Sequence, residues 1–361
     1  MHKKYTITPA GVPNEGIMFV DNESKNRSGH MTHALVEYAK DSMLAFYTNC
    51  SAMIENGHTG YGWVEYKRTI DGGKTWSEPY ILDYSLKSLH DGTFNVSCEK
   101  AVYTNNGTIV LFCLRNKKIT RWEPYLEPSV LLSYDQGETW TEPTMHFPHR
   151  GRIMDALYQD GVIYVVEFCN DSEIKWTGNL PEHVYRLYVS TDEGKTFEER
   201  SMIPFDTFGR SYGAMEWLPD GSLITYCYNE NDEFYLDYCI SYDKGITWSK
   251  PSRSFFSKRI RNPQICNFNG VYFMHGRSGN NDPILPYNFV LYTSQDGINW
   301  DEGTYLRVTD PRGWGNMAYY SNNLVTGRFG GPKRMLIQAS DAYFEGCVNV
   351  KHWWIDMEEA K

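Results

Sequence analysis

The sequence lacks a basic excess, a long apolar run, a cysteine framework and a leader-like start. Lys and Arg number 35 against 45 Asp and Glu, a formal charge of −10. A nucleic-acid binder needs a net basic face, so that class is excluded. A local basic pocket for an anionic ligand is not. No stretch approaches the ~20 apolar residues of a membrane span, so no membrane partner is expected. The opening MHKKYTITPAGVPNEG has no apolar core of a secretory signal. The eight cysteines are scattered and none forms C-x-x-C, which predicts thiols packed as small core hydrophobes. Together these absences predict a cytoplasmic protein. No phosphate loop, no G-x-S-x-G and no zinc motif is present. His30 and His33 form H-x-x-H, but residues i and i+3 of a strand point to opposite faces, so no metal or other cofactor is expected.

What the chain does have is aromatic residues, 15% of the total, and an internal repeat. Thr69-Ile-Asp71-Gly-Gly73-Lys-Thr75-Trp76 returns as Ser133 to Trp140, Ser190 to Phe197 and Ser241 to Trp248. A fifth copy, Ser294 to Trp300, is one residue shorter. The repeated aspartates, 71, 135, 192, 243 and 296, lie 64, 57, 51 and 53 residues apart. In S/T-x-D-x-G-x-T-W the Asp can cap the N–H groups of its own turn, the Gly supplies a positive φ, and the Trp buries area between neighbouring units. Between copies run β-branched and aromatic segments such as Ile109–Leu114 and Val162–Val166, each after an Asn-Gly or Asp-Gly turn. Four antiparallel strands per unit is the plan of a propeller blade. The sequence therefore predicts an all-β chain, a six-bladed β-propeller, with seven blades as the alternative and no helix. Residues 1–361 form one domain. The sixth blade occupies about 312–356 and the ring is closed by a strand from about 4–20.

Five such boxes at blade spacing resemble the Asp-box (BNR-repeat) propellers of the sialidase-like superfamily. The resemblance covers nearly the whole chain and implies a glycosidase scaffold, with the boxes on the face opposite the active site. Sialidases of this kind use three arginines, a Tyr nucleophile with a Glu partner, and an Asp acid/base. Here Ala318-Tyr319-Tyr320-Ser321 is similar to the family's Tyr-Ser pair, which implies Tyr320 as nucleophile. The first strand, Gly29-His30-Met31-Thr32-His33-Ala34-Leu35, has no arginine; the Glu position falls near Arg210-Ser211-Tyr212; and an expected arginine falls near Tyr228. The first strand also resembles related propeller lyases that cut beside uronic acids with His, Tyr and Arg.

The Asp-Gly or Asn-Gly turn of each blade gives a register mark independent of any resemblance. Eight residues before Asp41, Asn106, Asp160, Asp220 and Asn269 stand His33, Cys98, Arg152, Tyr212 and Arg261. Strand alternation would aim these, and Arg210 two residues before Tyr212, at the central axis. Unpaired charges there would be costly if dry, so either local carboxylates such as Asp155 or Glu216 pair with the arginines, or an anion does. A guanidinium fork suits a carboxylate or sulfate. Loops after the second strands add Arg115, Arg121, Glu230, His275 and Arg277, with Trp122, Trp176 and Trp314 as candidate sugar platforms.

The expected function is cleavage of a glycosidic bond at a terminal anionic sugar. Tyr320 would attack, helped by Glu230. Arg152, Arg210, Arg261, Arg277, His275 and Arg115 would hold the glycan and its anion. A protonated His33 or an Asp would serve the leaving oxygen. The alternative is elimination beside a uronic acid, with His33 and Tyr212 or Tyr320 moving protons. A non-catalytic glycan binder is the third expectation.

Overall fold

The computed structural model describes residues 4–51, 61–92, 94–117, 125–170, 177–278, 288–309, 319–341 and 346–358. Six antiparallel sheets form a ring, a six-bladed β-propeller. In blade 3, for example, the strands run in order Gly151–Gln159, Val162–Cys169, Val184–Ser190 and Glu198–Ile203 from the axis outward. Blades 1, 4 and 5 repeat this order. Blade 2 has three paired strands among its described residues, with an isolated Val130–Thr144 bridge beyond them. In blade 6, Ser321–Val325, Met335–Ser340 and Val350–Met357 come from the chain's end. Tyr5–Thr8 and Ile17–Val20 from its start both pair with Val350–Met357.

The second strands read as unbroken apolar runs because neighbouring blades cover both of their faces. In Val162–Cys169, Ile163 and Val165 pack toward blade 2, with Phe112, Phe147 and Tyr188. Tyr164, Val166 and Phe168 pack the other way, with Tyr212, Tyr226 and Tyr228 of blade 4. None of the eight cysteines forms a disulfide, and all are buried.

The repeated turns fold as their chemistry requires. Asp135 Oδ1 accepts from the Thr139 N–H at 2.9 Å and Oδ2 from its hydroxyl at 2.6 Å. Asp243 does the same for Thr247. These hydrogen bonds hold the carboxyl of Asp243 down at about 2 although it is solvent-exposed. The turn aromatics lock each blade to the one before it. The Trp248 indole donates to Ser201 Oγ at 2.9 Å, the Trp300 indole to Ser254 Oγ at 3.0 Å, and Trp76 packs on Phe19 and His352.

The expectation of no helix is corrected. Asp83–Asp91 forms a nine-residue α-helix between blades 1 and 2, ended by Gly92 in the left-handed region at φ 77°. Asp83 in its first turn and His90 in its last suit the helix dipole. Its fully buried residues are serines, Ser85 and Ser88, while Tyr84, Leu86 and Leu89 are half-buried, and nine residues are too short a window for a helical period to stand out. Among the described residues no helix is long and apolar enough to cross a membrane.

At the axis, polar side chains replace a hydrophobic core. The inner strands of blades 2, 3, 4 and 5 each carry a register shift near their start, at Cys98/Lys100, Ile153/Asp155, Ser211/Gly213 and Arg261/Gln264. The inner strands are also the open edges of their sheets, and carboxylates of adjacent blades take up backbone N–H groups there. Glu99 accepts from Ile153 N at 2.7 Å, Asp155 from Met215 N at 2.8 Å and Glu216 from Asn267 N at 2.9 Å. Glu37 accepts from Gly327 N and Arg328 N. Each carboxylate thus ties one inner strand to the backbone of a neighbouring blade.

Candidate functional site

The same bulges build a cavity of about 40 Å³ on the face where the inner strands begin. Thr32, His33, Glu99, Lys100, Arg152, Tyr212, Gln264 and Tyr320 wall it. A space that small admits one group, such as a carboxylate or a water. Two of the bulge or strand-entry residues are aromatics in the left-handed region, Tyr212 at φ 34° and Tyr319 at φ 37°. Such backbone is costly for a bulky residue and tends to gather at functional sites.

Four of the expected residues, His33, Arg152, Tyr212 and Tyr320, wall the cavity, and Arg261 and Arg277 stand close to its tyrosines. The Tyr212 and Tyr320 hydroxyls lie 3.4 Å apart. The Arg152 guanidinium lies 5.4 Å from the Tyr212 ring centre, and that of Arg277 lies 5.1 Å from the Tyr320 ring centre. Arg261, cross-strand partner of Arg277, faces the Tyr228 ring at 5.5 Å. Burial works against the Arg261 charge, but the phenols of Tyr228, Tyr212 and Tyr320 and nearby Glu233 carry its pKa above the ordinary value. Three arginines thus cluster around three phenols, a setting that attracts an anion, while burial pushes the Tyr228 phenol well above its ordinary value.

His33 is fully buried. Burial pulls its pKa down to about 3, so the imidazole is neutral at physiological pH. This corrects the expectation of a protonated His33. Its Nδ1 is 3.0 Å from the Gln338 amide nitrogen, and its Nε2 has no hydrogen-bond partner among the described residues.

The remaining expected residues lie elsewhere. Arg210 does not wall the cavity. Its Nε donates to Asp237 at 2.6 Å, on the third strand of its own blade, and Nη1 donates to the Phe208 carbonyl. The bulge at Tyr212 breaks the alternation that would have aimed Arg210 at the axis. Arg115 covers Phe94 at 4.5 Å and donates to the Glu127 carbonyl. His275 is buried between blades 5 and 6, with Nδ1 3.0 Å from Ser321 Oγ and Nε2 3.0 Å from the Asn323 amide nitrogen. Burial, and then Lys100, lower its pKa to about 3. Glu230 accepts from Thr177 Oγ1 at 3.1 Å and does not wall the cavity. Arg121, Trp122, Trp176 and Trp314 lie outside the described residues.

Glu99 is the residue that sequence reasoning missed. Counting eight back from the turn reached Cys98, whose thiol points at the Thr32 carbonyl. The bulge advances the position by one, and Glu99 receives Arg152 Nε at 2.7 Å. The expected partners of the arginines are engaged otherwise. Asp155 pairs with Lys100 at 3.0 Å, and both Glu216 oxygens accept backbone N–H groups. Lys100, also bonded to Gln264 and Asn322, forms the cavity floor; beyond it a separate axial cavity of about 350 Å³ opens on the opposite side. Among the described residues no group of three or more His, Cys, Asp or Glu side chains is placed to hold a metal ion.

No protein-family model and no curated protein matches the chain. Solved structures do. A protein of unknown function from Dyadobacter fermentans superposes with a TM-score of 0.70 at 14% identity, over 95% of this chain and 98% of that one. The NanB sialidase from Streptococcus pneumoniae gives 0.64 at 12% identity, over 97% of this chain and 71% of that one. An α-L-arabinanase from Penicillium chrysogenum gives 0.61 at 14%, over 97% of this chain and all of that one. The chain has the sialidase-like six-bladed β-propeller fold that these enzymes share.

Proposed function

We propose that the chain is a carbohydrate-active enzyme that cleaves a glycosidic bond at a terminal anionic sugar, with the sugar's carboxylate or other anion seated in the axial cavity. The observation that carries this reading is the grouping of Arg152, Arg261 and Arg277 around Tyr212 and Tyr320. The arginines neutralise the anion. They also lower the cost of ionising a phenol, which makes Tyr320 a competent nucleophile. Tyr320 Oη would attack the anomeric carbon while the leaving oxygen takes a proton. Water would then release the sugar from the tyrosine.

Elimination is the second reading, and one observation favours it. Glu99 is the carboxylate that walls the cavity among the described residues, and it is engaged with Arg152; Glu230 is held by Thr177. Two phenols 3.4 Å apart beneath arginines suit proton transfer at a uronate. One phenolate would take the proton next to the carboxylate, the C–O bond would break, and the leaving oxygen would be protonated.

Purified protein incubated with sialyl and uronate-containing oligosaccharides, followed by product mass, tests both. Hydrolysis adds one water per bond cut. Elimination adds none and leaves a double bond that absorbs in the ultraviolet. Absence of any cleavage, together with tight binding that survives Tyr320→Phe, refutes both and leaves a glycan binder.

A further inference from the structure

His33 is held from behind by a chain of groups whose proton positions can be worked out. Gln338, on the second strand of blade 6, is fully buried. Its amide nitrogen donates to the Phe46 carbonyl at 2.8 Å. A carbonyl only accepts, so this bond fixes which end of the amide is nitrogen. The second proton of the same nitrogen meets His33 Nδ1 at 3.0 Å, which must therefore be a bare acceptor. The amide oxygen in turn accepts from His352 Nε2 at 2.8 Å, and the His352 ring is stacked on Phe19 at 4.0 Å. Each group in the chain has one consistent role.

We propose that Gln338, braced by His352, is a positioning residue that locks His33 as the Nε2–H tautomer, so that His33 presents a fixed neutral N–H donor to the cavity and not a proton acceptor. The Nε2 atom is buried with no hydrogen-bond partner among the described residues, on a residue that walls the cavity. A buried donor without a partner is costly unless a ligand supplies one. The ligand group it calls for is an oxygen acceptor: the substrate's anionic oxygen, or the oxygen on which charge develops at bond cleavage. This use of the donor rests on the proposed glycan-cleaving function; the tautomer does not. It assigns base work in the site to a phenol and excludes His33 from it.

Burial keeps the imidazole neutral, against the Phe46 carbonyl, which favours the charged form. Arg152 and Lys100 wall the same cavity, and His352 lies behind Gln338. Glu99, the one facing carboxylate among the described residues, is paired with Arg152. Tyr212 and Tyr320 complete the wall. A built-in contrast stands nearby. The Asn323 amide nitrogen, also directed at the Ile265 carbonyl, meets His275 Nε2, which leaves the proton on Nδ1 facing Ser321 Oγ. Two buried histidines near one axis thus carry opposite tautomers.

Long-range proton–nitrogen correlation spectra of the full chain labelled with ¹⁵N-histidine test this, with His33→Asn and His275→Asn identifying the signals. The expected result is a pyrrole-like Nε2 and pyridine-like Nδ1 for His33, the reverse for His275, and no titration of either across the physiological range. Gln338→Glu replaces the amide donor by acceptors. It should move the His33 proton to Nδ1, introduce a titration, and lower kcat by about 100- to 1,000-fold, the loss expected for one oxyanion donor. A wild-type His33 that is Nδ1–H, or that titrates like a solvent-exposed imidazole, overturns the proposal whether or not any glycan is cleaved. The expected tautomer in a protein that turns over no glycan overturns the proposed function and leaves the tautomer standing.

Discussion

Replacing Glu99 tests how the site is held. Its two oxygens accept from Arg152 Nε and Ile153 N, both at 2.7 Å, and the two side chains are 2% and 4% exposed. Removing one member of a buried ion pair strands the other, which costs about 3–5 kcal/mol. Glu99→Ala also leaves the Ile153 N–H without its acceptor, a group worth roughly 1–3 kcal/mol when buried, though the two penalties overlap. We therefore expect a loss of about 4 kcal/mol, measured as a shift in the urea midpoint at unchanged slope. Glu99→Gln retains an acceptor but not the charge and should lose about half as much. A double-mutant cycle with Arg152→Met should return a coupling of about 2–3 kcal/mol. Glu99 also offsets the Arg152 charge at the cavity. At an effective dielectric of about 20, one charge about 6 Å away changes binding by roughly 2–3 kcal/mol. Glu99→Gln should therefore bind a carboxylate-bearing sugar at least about tenfold more tightly while being less stable. A coupling below about 0.5 kcal/mol, or weaker anion binding by the variant, would refute the pairing as the element that holds and tunes Arg152.

Tyr320→Phe should lower turnover by at least about 100-fold with little change in melting temperature, since it removes one hydroxyl from a ring that stays packed; unchanged turnover would remove Tyr320 from the chemistry. Gly245 sits at φ 85°, and a Cβ there would lie 2.0 Å from Leu187 Cδ2. Gly245→Ala should cost about 2–4 kcal/mol, part of it recovered by adding Leu187→Ala. Glu167 is buried between blades 2 and 3 beside Tyr188 and Cys169, and burial lifts its carboxyl to about 8 against those two neighbours, which favour its charged form. In the unfolded chain it titrates near ~4.3. Its contribution is therefore fully present below that value and is lost as pH rises toward 8. Glu167→Gln should flatten the pH dependence of the urea midpoint and be the more stable protein at pH 8; parallel pH profiles for variant and wild type would contradict the assigned shift.

How much of this was readable in the sequence divides at the inner-strand bulges. Everything set by local turn chemistry was legible. Asp71, Asp135, Asp192, Asp243 and Asp296 close their own turns with hydrogen bonds within four residues, so their spacing marks five of the six blades without reference to distant contacts. His33, Arg152 and Tyr212 were also within reach, because the turn marks a comparable place on three inner strands, and Tyr320 was reached through the resemblance of Tyr320-Ser321 to a Tyr-Ser pair. Alternation carries information only up to the first register break. Past it, Arg210 turns to Asp237 within its own blade, and Glu99 takes the inward place that counting gives to Cys98. The bulges leave no periodic mark in a single sequence, and the carboxylates that tie the inner strands together are distant in the chain, 54 residues for Glu99 and Ile153 and 60 for Asp155 and Met215. The face that carries the small cavity is therefore specified by pairs that are distant in the chain, and the opposite face by motifs that are contiguous in it. That asymmetry explains why the repeat identified the scaffold while the chemistry had to be found from the geometry of the axis.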